Sequence, residues 1–284
     1  MSQGVTDLIL NLHHLPPTIT RQVGDGTDLG ARVRYSWENP VLGSAGGPRH
    51  ALSLLSPTVI LVNGDTLTDV DVAAMLVAHR GTGALVTMAL IANPRPDRYG
   101  GVDLSVDGWV TGFTRPGTAR ESFHFIGVQI AEASVFAGLD DGVAAESVNA
   151  VYPRLIARDR HAVRGFVSGA SFRDIGTPSD YLRTSVELAA IEGDRLTAGS
   201  HVVCSSSARV VRTAVWDDVV IGSDATIVDC IVCDGARIPD GARYERCAIV
   251  PATAAVAARP EPDRSIGERI EGDLLIAPIP DVGP

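Results

Sequence analysis

Two aspartates stand where apolar runs hand over to the next element. Asp65 closes "TVILVNGD" (58–65), and Asp174 lies in "FRDIGTP" (172–178). Two carboxylates converging at such junctions would hold a hard divalent ion such as Mg²⁺, which takes few protein ligands and leaves room for phosphate oxygens. Each aspartate alone is also an ordinary turn or cap residue, and spacing leaves both readings open. Other chemistry-bearing residues fit less well. His13 and His14 are adjacent, so on a strand they point to opposite faces. Cys230 and Cys233 form a C-x-x-C with no second pair or nearby His to complete a zinc set, so the four cysteines read as small core residues. His201 could serve as an acyl-transfer base, but it stands alone beside few repeats.

The elements that would position Asp65 and Asp174 alternate. Residues 5–14 read as a strand, 16–25 as a short helix opened by proline, and 31–38 as a strand. Residues 42–55, "LGSAGGPRHALSLL", read as a glycine-rich loop running into a helix. "TVILVN" is the continuous apolar run of a parallel strand buried on both faces. Residues 70–80 read as a helix with Asp69 in its cap region, and 83–92 as a second buried strand. A hairpin over 100–116 turns near Asp107-Gly108, a strand spans 122–131, and a helix interrupted by Pro153 spans 145–157. A helix then opens at Pro178, with Thr177 and Asp180 forming a capping box. This alternation predicts an α/β fold, a doubly wound, mostly parallel sheet. Ligands of such sheets bind beyond the C-terminal strand ends, where Asp65 sits.

From about residue 200 a six-residue period begins. Ala208, Ala214, Val220, Thr226, Val232, Ile238, Tyr244 and Val250 share one column. That predicts a short parallel β-helix of fewer than three coils, three faces to a coil. The expected layout is an α/β domain over 1–195, a β-helix over 200–250 and a weakly ordered tail over 251–284, in which "DLLIAPI" could dock.

The 284 residues suit one large and one small domain. A net charge of -10 argues against nucleic acid as partner, since non-specific binding needs basic surface. All 24 basic residues are arginine, so any phosphate contact by a basic side chain falls to arginine. No apolar run is long enough to span a membrane and no signal peptide leads the chain, so the expected location is cytoplasmic.

Together "LGSAGG", "VNGD", "FIGVQI", "ESV" and "RDIGTPSDYL", followed by the six-residue repeats, resemble the sugar-1-phosphate nucleotidyltransferases. The subset with a C-terminal left-handed β-helix, the mannose-1-phosphate guanylyltransferase-like proteins, is most similar, over roughly residues 5–250. The resemblance implies a Rossmann-like nucleotidyltransferase fold and Mg²⁺ as cofactor. It implies a nucleoside triphosphate and a sugar 1-phosphate as partners, with guanine and mannose the first expectation and uracil with an amino or muramic sugar the second. It implies Asp65 and Asp174 as metal ligands and Arg115, where the family has lysine, as a catalytic phosphate contact. Leu42, Gly43, Gly46 and Gly64 would be nucleotide-side, and Tyr99, Gly100, Gly127 and Glu146 sugar-side. Assembly into a homo-oligomer through the β-helix is a further expectation.

One family signature, a first strand followed by a G-x-G-T-R triphosphate loop, does not occur in these 284 residues. Judged against family organisation, the chain enters at the second strand, so the fold is expected with its first strand missing and two apolar edges open. The reading that follows is a transferase whose recorded chain is inactive. The alternative is a non-catalytic sugar-nucleotide-binding or regulatory subunit.

Overall fold

The chain divides into two units, Met1–Phe172 and Arg173–Pro284. The structure, a computed structural model, describes residues 4–118, 121–192, 197–258 and 267–280.

The first unit runs β1 (Asp7–Leu12), α1 (Pro16–Val23), β2 (Arg32–Trp37), α2 (Gly43–His50), β3 (Thr58–Val62), β4 (Thr66–Thr68), α3 (Val72–Thr82) and β5 (Val86–Ala92). It continues through β6 (Gly101–Leu104), β7 (Val110–Thr114), β8 (Phe123–Glu132), α4 (Ser134–Ala137), α5 (Tyr152–Arg158) and β9 (Val163–Val167); β10 (Phe172–Asp174) begins in the first unit and ends in the second. A π-helical turn, Ser147–Val151, leads into α5 where the sequence placed one interrupted helix. Asp71, rather than Asp69, caps α3: its carboxylate accepts from the Ala74 amide at 2.8 Å.

Strand β8 organises the sheet. One edge pairs antiparallel with β5, and the other with β3 and, through Val102–Phe123, with β6. Beyond β5 lies β9, parallel to it. The sheet is therefore mixed: the long apolar run of β3, expected to pair in parallel, meets β8 antiparallel. Burial on both faces, which that run does signal, comes from helices. Val59 packs with Ala45 of α2 on one face, while Ile60 packs with Val72 and Met75 of α3 on the other.

Strands β1 and β2 form a separate parallel pair. Between β1 and β3 lies a cleft of about 500 Å³, lined by Leu8, Ile9 and Leu10 on one side and Val59 to Val62 on the other. Among the described residues β1 pairs only with β2, and β3 only with β8.

The second unit opens with α6 (Pro178–Glu192). Its start is the expected capping box: the Asp180 amide donates to Thr177 Oγ1 at 3.1 Å, and Thr177 Oγ1 donates to Asp180 at 2.7 Å. Leu182 of α6 packs with Ala214, Ile231 and Ile279 of this unit.

Nine short strands follow: β11 (Thr197–Ala198), β12 (Val203–Cys204), β13 (Arg209–Val211), β14 (Ala214–Val215), β15 (Val220–Ile221), β16 (Thr226–Val228), β17 (Ile231–Val232), β18 (Arg237–Ile238) and β19 (Arg243–Glu245). Then come β20 (Cys247–Pro251), α7 (Ala252–Ala258), β21 (Arg269–Glu271) and β22 (Leu274–Pro278). Thr197 pairs with Ala214, Ala214 with Ile231 and Ile231 with Ala248, all in parallel. These stacked sheets form a parallel β-helix with seventeen residues to a coil, and three coils run from Thr197 to Cys247.

A strict six-residue column therefore loses phase. Inward positions begin at Ala208, Thr213, Val219 and Ala225, steps of five, six and six. Of the column read from sequence, Val232, Ile238 and Tyr244 point into the core, whereas Ala214 turns outward to α6 and Val250 lies outside. Corners at His201, Asp218 and Gly235 share the left-handed backbone, as do Arg212, Asp229 and Arg246. His201 is thus a corner residue, paired with Asp218 at 3.2 Å. Cys230 and Cys247 stack in the core as expected, Cys233 is half-buried, and Cys204 departs from the core reading by lying exposed.

β22 pairs antiparallel with β20, Ile249 opposite Ile276, and both isoleucines are fully buried. β21 pairs in turn with β22. "DLLIAPI" docks because its alternate apolar residues, Leu274 and Ile276, complete the β-helix core.

Candidate functional site

The glycine-rich stretch is itself helical. Leu42 is the residue before α2, its side chain buried, and its amide donates to Glu38 Oε2 at 3.0 Å. Asn11 of β1 donates to the other oxygen, Glu38 Oε1, at 3.0 Å. Glu38 is buried, and a carboxylate can stay so only because hydrogen bonds meet it. His13 adds a bond to the Glu38 carbonyl at 3.0 Å, a structural role.

A second carboxylate grips α2 from the other side. Glu146 Oε2 accepts from Ser44 Oγ at 2.7 Å, and the Ser147 amide donates to the same Ser44 Oγ at 2.9 Å. The amides of Ala45 and Gly46 donate to the Ala145 carbonyl. Such closeness demands glycine. Gly43 has φ +76°, and a Cβ there would lie 2.5 Å from Glu146 Oε1; at Gly46 it would lie 2.8 Å from the Val143 carbonyl. The sequence reading put Leu42, Gly43 and Gly46 on the nucleotide side and Glu146 on the sugar side. The structure gathers all four into one hydrogen-bonded knot. Glycines and Pro48 disfavour a helix in isolation, so α2 is held by this tertiary grip rather than by propensity.

A second group forms at the tip of β3. The β5–β8 register shifts between Met88 and Leu90, a bulge in β8 around Gly127. Gly127 has φ +77°, and a Cβ there would meet Thr66 Oγ1 at 2.5 Å. The Asn63 amide donates to the Gly127 carbonyl at 2.8 Å. The turn Asn63–Thr66 thus sits against the bulge, with Asp65 exposed and open space beside Gly64.

A third group surrounds the loop after β5. The Tyr99 ring stacks on His124 at 4.4 Å and meets Phe172 edge-on at 5.8 Å. Asn93 Nδ2 donates to the Tyr99 carbonyl at 3.2 Å. Gly100 lies against the Thr114 carbonyl, immediately before Arg115, which is exposed at the end of β7. Asp174, the first unit's prospective partner in metal binding, belongs to the second unit, where its carboxylate accepts from the Gly176 amide at 3.1 Å. Among the described residues no cluster of three or more His, Cys, Asp or Glu is arranged to hold a metal.

Sequence reasoning missed Glu38, Asn11, Ser44 and His124. Glu38 left a signal: a lone carboxylate closing an apolar strand, before Pro40. Ser44 and Asn11 left none, since their value depends on which carboxylate stands opposite.

A family model described as Nucleotidyl transferase matches residues 1–190. Mannose-1-phosphate guanylyltransferase of Mycobacterium tuberculosis (strain ATCC 25618 / H37Rv) is 29% identical over 259 residues, covering 87% of this chain and 70% of that protein. D-glycero-alpha-D-manno-heptose 1-phosphate guanylyltransferase of Aneurinibacillus thermoaerophilus is 30% identical over 189 residues, covering 66% of this chain and 80% of that protein. Among solved structures, HddC from Yersinia pseudotuberculosis has a TM-score of 0.56 at 22% identity, covering 64% of this chain and 78% of that one, a likeness of fold.

Proposed function

The chain belongs to the nucleotidyl transferase family, and from that premise we propose that it joins a nucleoside triphosphate to a sugar 1-phosphate, giving an NDP-sugar and pyrophosphate. The first pair proposed is GTP with mannose 1-phosphate, because both curated relatives above are guanylyltransferases of manno-configured sugars. In this reaction the sugar-phosphate oxygen attacks the α-phosphorus in line as the bond to pyrophosphate breaks. Little covalent work falls to the protein, so positioning and charge neutralisation dominate.

The observation that carries the reading is the knot at the start of α2. Gly43 and Gly46 let the start of α2 pack against the Val143–Glu146 segment, and hydrogen bonds to Glu38 and Glu146 fix the backbone that would be presented to the nucleotide. Asp65 would be a ligand for Mg²⁺: its carboxylate offers hard oxygens and is exposed beside open space. The ion would neutralise phosphate charge during transfer. Arg115 would add a basic phosphate contact and Tyr99, Gly100 and Gly127 a surface for the sugar.

The test is Mg²⁺-dependent pyrophosphate release by the full chain with GTP, UTP or ATP against mannose, glucose and muramic 1-phosphates. GTP with mannose 1-phosphate should turn over fastest, and Asp65→Asn should lower the rate by about a hundredfold or more. Binding of GDP-mannose without turnover by any pair would replace the transferase by a sugar-nucleotide-binding subunit.

A further inference from the structure

The sequence offers Cys230 and Cys233 as a pair, but the fold separates them. Cys230 lies in the β-helix interior with Ile227 and Val232, whereas Cys233 packs against the outer cluster of Leu182, Ala214 and Ile279. The partner the fold gives Cys230 is Cys247, one coil further on. Ile231 opposes Ala248 in the parallel pairing of β17 with β20, so the cysteines one step earlier stack in register. Each directly follows a corner residue with left-handed backbone, Asp229 or Arg246. Their sulfurs lie 3.7 Å apart, in contact.

Two features suit this pair to a covalent bond. The first is spacing. Neighbouring strands stand about 4.8 Å apart, inside the roughly 4.4–6.8 Å of Cα separation that a disulfide spans. Turning the two side chains brings the sulfurs from contact to the bond length of about 2.05 Å with the backbone in place. The second is polarity. The hydrogen bond from Cys247 holds the Cys230 thiol below its ordinary value, and that same bond, with burial, raises Cys247. Cys230 is thus the sulfur richer in thiolate, and Cys247 keeps its proton. The column holds no third sulfur: Thr213 takes the place one coil earlier, where its hydroxyl accepts from the Cys230 amide at 3.3 Å.

We propose that Cys230 and Cys247 form a reversible oxidation site, closed by a peroxide into a disulfide that ties successive coils of the β-helix together. The Cys230 thiolate attacks one peroxide oxygen and the O–O bond breaks. The other oxygen leaves as water with the proton the thiol gave up, and Cys230 becomes a sulfenic acid. The Cys247 sulfur then attacks that sulfur, the S–O bond breaks, and the hydroxyl leaves with the Cys247 proton as a second water. Two thiols lose two electrons and two protons, and one peroxide takes them all. Both sulfurs are buried, so the oxidant enters only as the coil opens, and the pair should react more slowly than the exposed Cys204. This inference is independent of the proposed transferase reading.

The test is hydrogen peroxide added to the full chain, followed by capping of the remaining thiols with iodoacetamide in urea and mass analysis of trypsin peptides. Cleavage after Arg237 and Arg246 places Cys230 and Cys247 on separate peptides, so a bond between them appears as one joined species that dithiothreitol splits. The joined species should form in the parent chain and in Cys233→Ser, and be lost in Cys230→Ala with Cys247 left as a capped thiol. Cys233→Ser lies outside the interior and keeps the test readable if Cys230→Ala does not fold. Closing a loop of this length should raise the thermal transition of the second unit by about 5 °C in Trp216 fluorescence, reversibly on reduction. The proposal falls if both sulfurs remain thiols after an exposure about tenfold longer than Cys204 needs for oxidation. It falls equally if Cys230 joins Cys233, or if the joined species persists in Cys230→Ala. A bond that lowers the thermal transition would also overturn it, because the coil would then be broken rather than tied.

Discussion

In the second unit β20 continues past the last coil and finds an antiparallel partner, β22, in its own chain, so Ile249 and Ile276 close the apolar interior together. In the first unit β1 and β3 carry equally aliphatic sequences, yet each keeps one edge on an open cleft and most of its side chains half-exposed. The two regions differ in where the covering strand comes from. A β-helix stacks each coil on one seventeen residues away, and its cap lies about thirty residues further on, so local sequence suffices. A doubly wound sheet places strands distant in the chain side by side, so its edges depend on non-local pairing.

Cutting a side chain on each side of this contrast should expose it most. Ile276→Ala removes fully buried atoms and should cost about 2–4 kcal/mol. Val62→Ala, beside the cleft and 59% exposed, should cost about 0.5 kcal/mol or less, because little apolar surface is lost there. Urea unfolding measures both, with Trp216 fluorescence reporting the second unit. Equal costs would mean that the cleft is not open in solution.

Alkaline pH gives the next largest effect. Burial and the bond to Glu271 push the Tyr244 hydroxyl up to about 12, and burial with the nearby Asp234 charge pushes the Cys233 thiol up to about 12. Unfolded, these groups lose protons near 10 and 8.5, so the unfolded state holds fewer protons between those values and 12. Stability of the second unit should therefore fall as pH rises through that window, by up to about 1.4 kcal/mol per pH unit for each group. Tyr244→Phe should flatten the upper part of the slope in denaturation curves recorded from pH 8 to 11.5.

The smallest effect concerns the site. Gly43→Ala forces a left-handed backbone on a residue with a side chain and drives its Cβ against Glu146, for about 1–2 kcal/mol. Its signature should be lost GDP-mannose affinity with little change in the second unit's urea midpoint. A wild-type affinity in that variant would detach nucleotide binding from the α2 knot.

Much of this architecture was legible in advance. Strands β3 and β5 declared themselves by apolar runs and β2 by alternation, the α6 capping box by Thr177 and Asp180, and the repeat by its periodic aliphatics. Legibility failed where a segment's state is set by its partner. "LGSAGG" carries weak helix propensity and reads as a loop, but Glu38 and Glu146 hold it helical. The tail reads as Pro- and charge-rich, but two alternating aliphatics, Leu274 and Ile276, suffice to dock it once a core with a free edge exists.

Local chemistry thus settled the periodic strands and helices, the need for arginine at any basic phosphate contact, and the presence of long aliphatic strands, since these depend on side-chain pattern and backbone preference alone. The tertiary structure alone decided the seventeen-residue coil, the antiparallel entry of β8, the joining of Glu146 to the glycines of α2, and which strand edges are covered. Each of those is a pairing between residues far apart in the chain, and pairing energy depends on what stands opposite, which no single segment encodes.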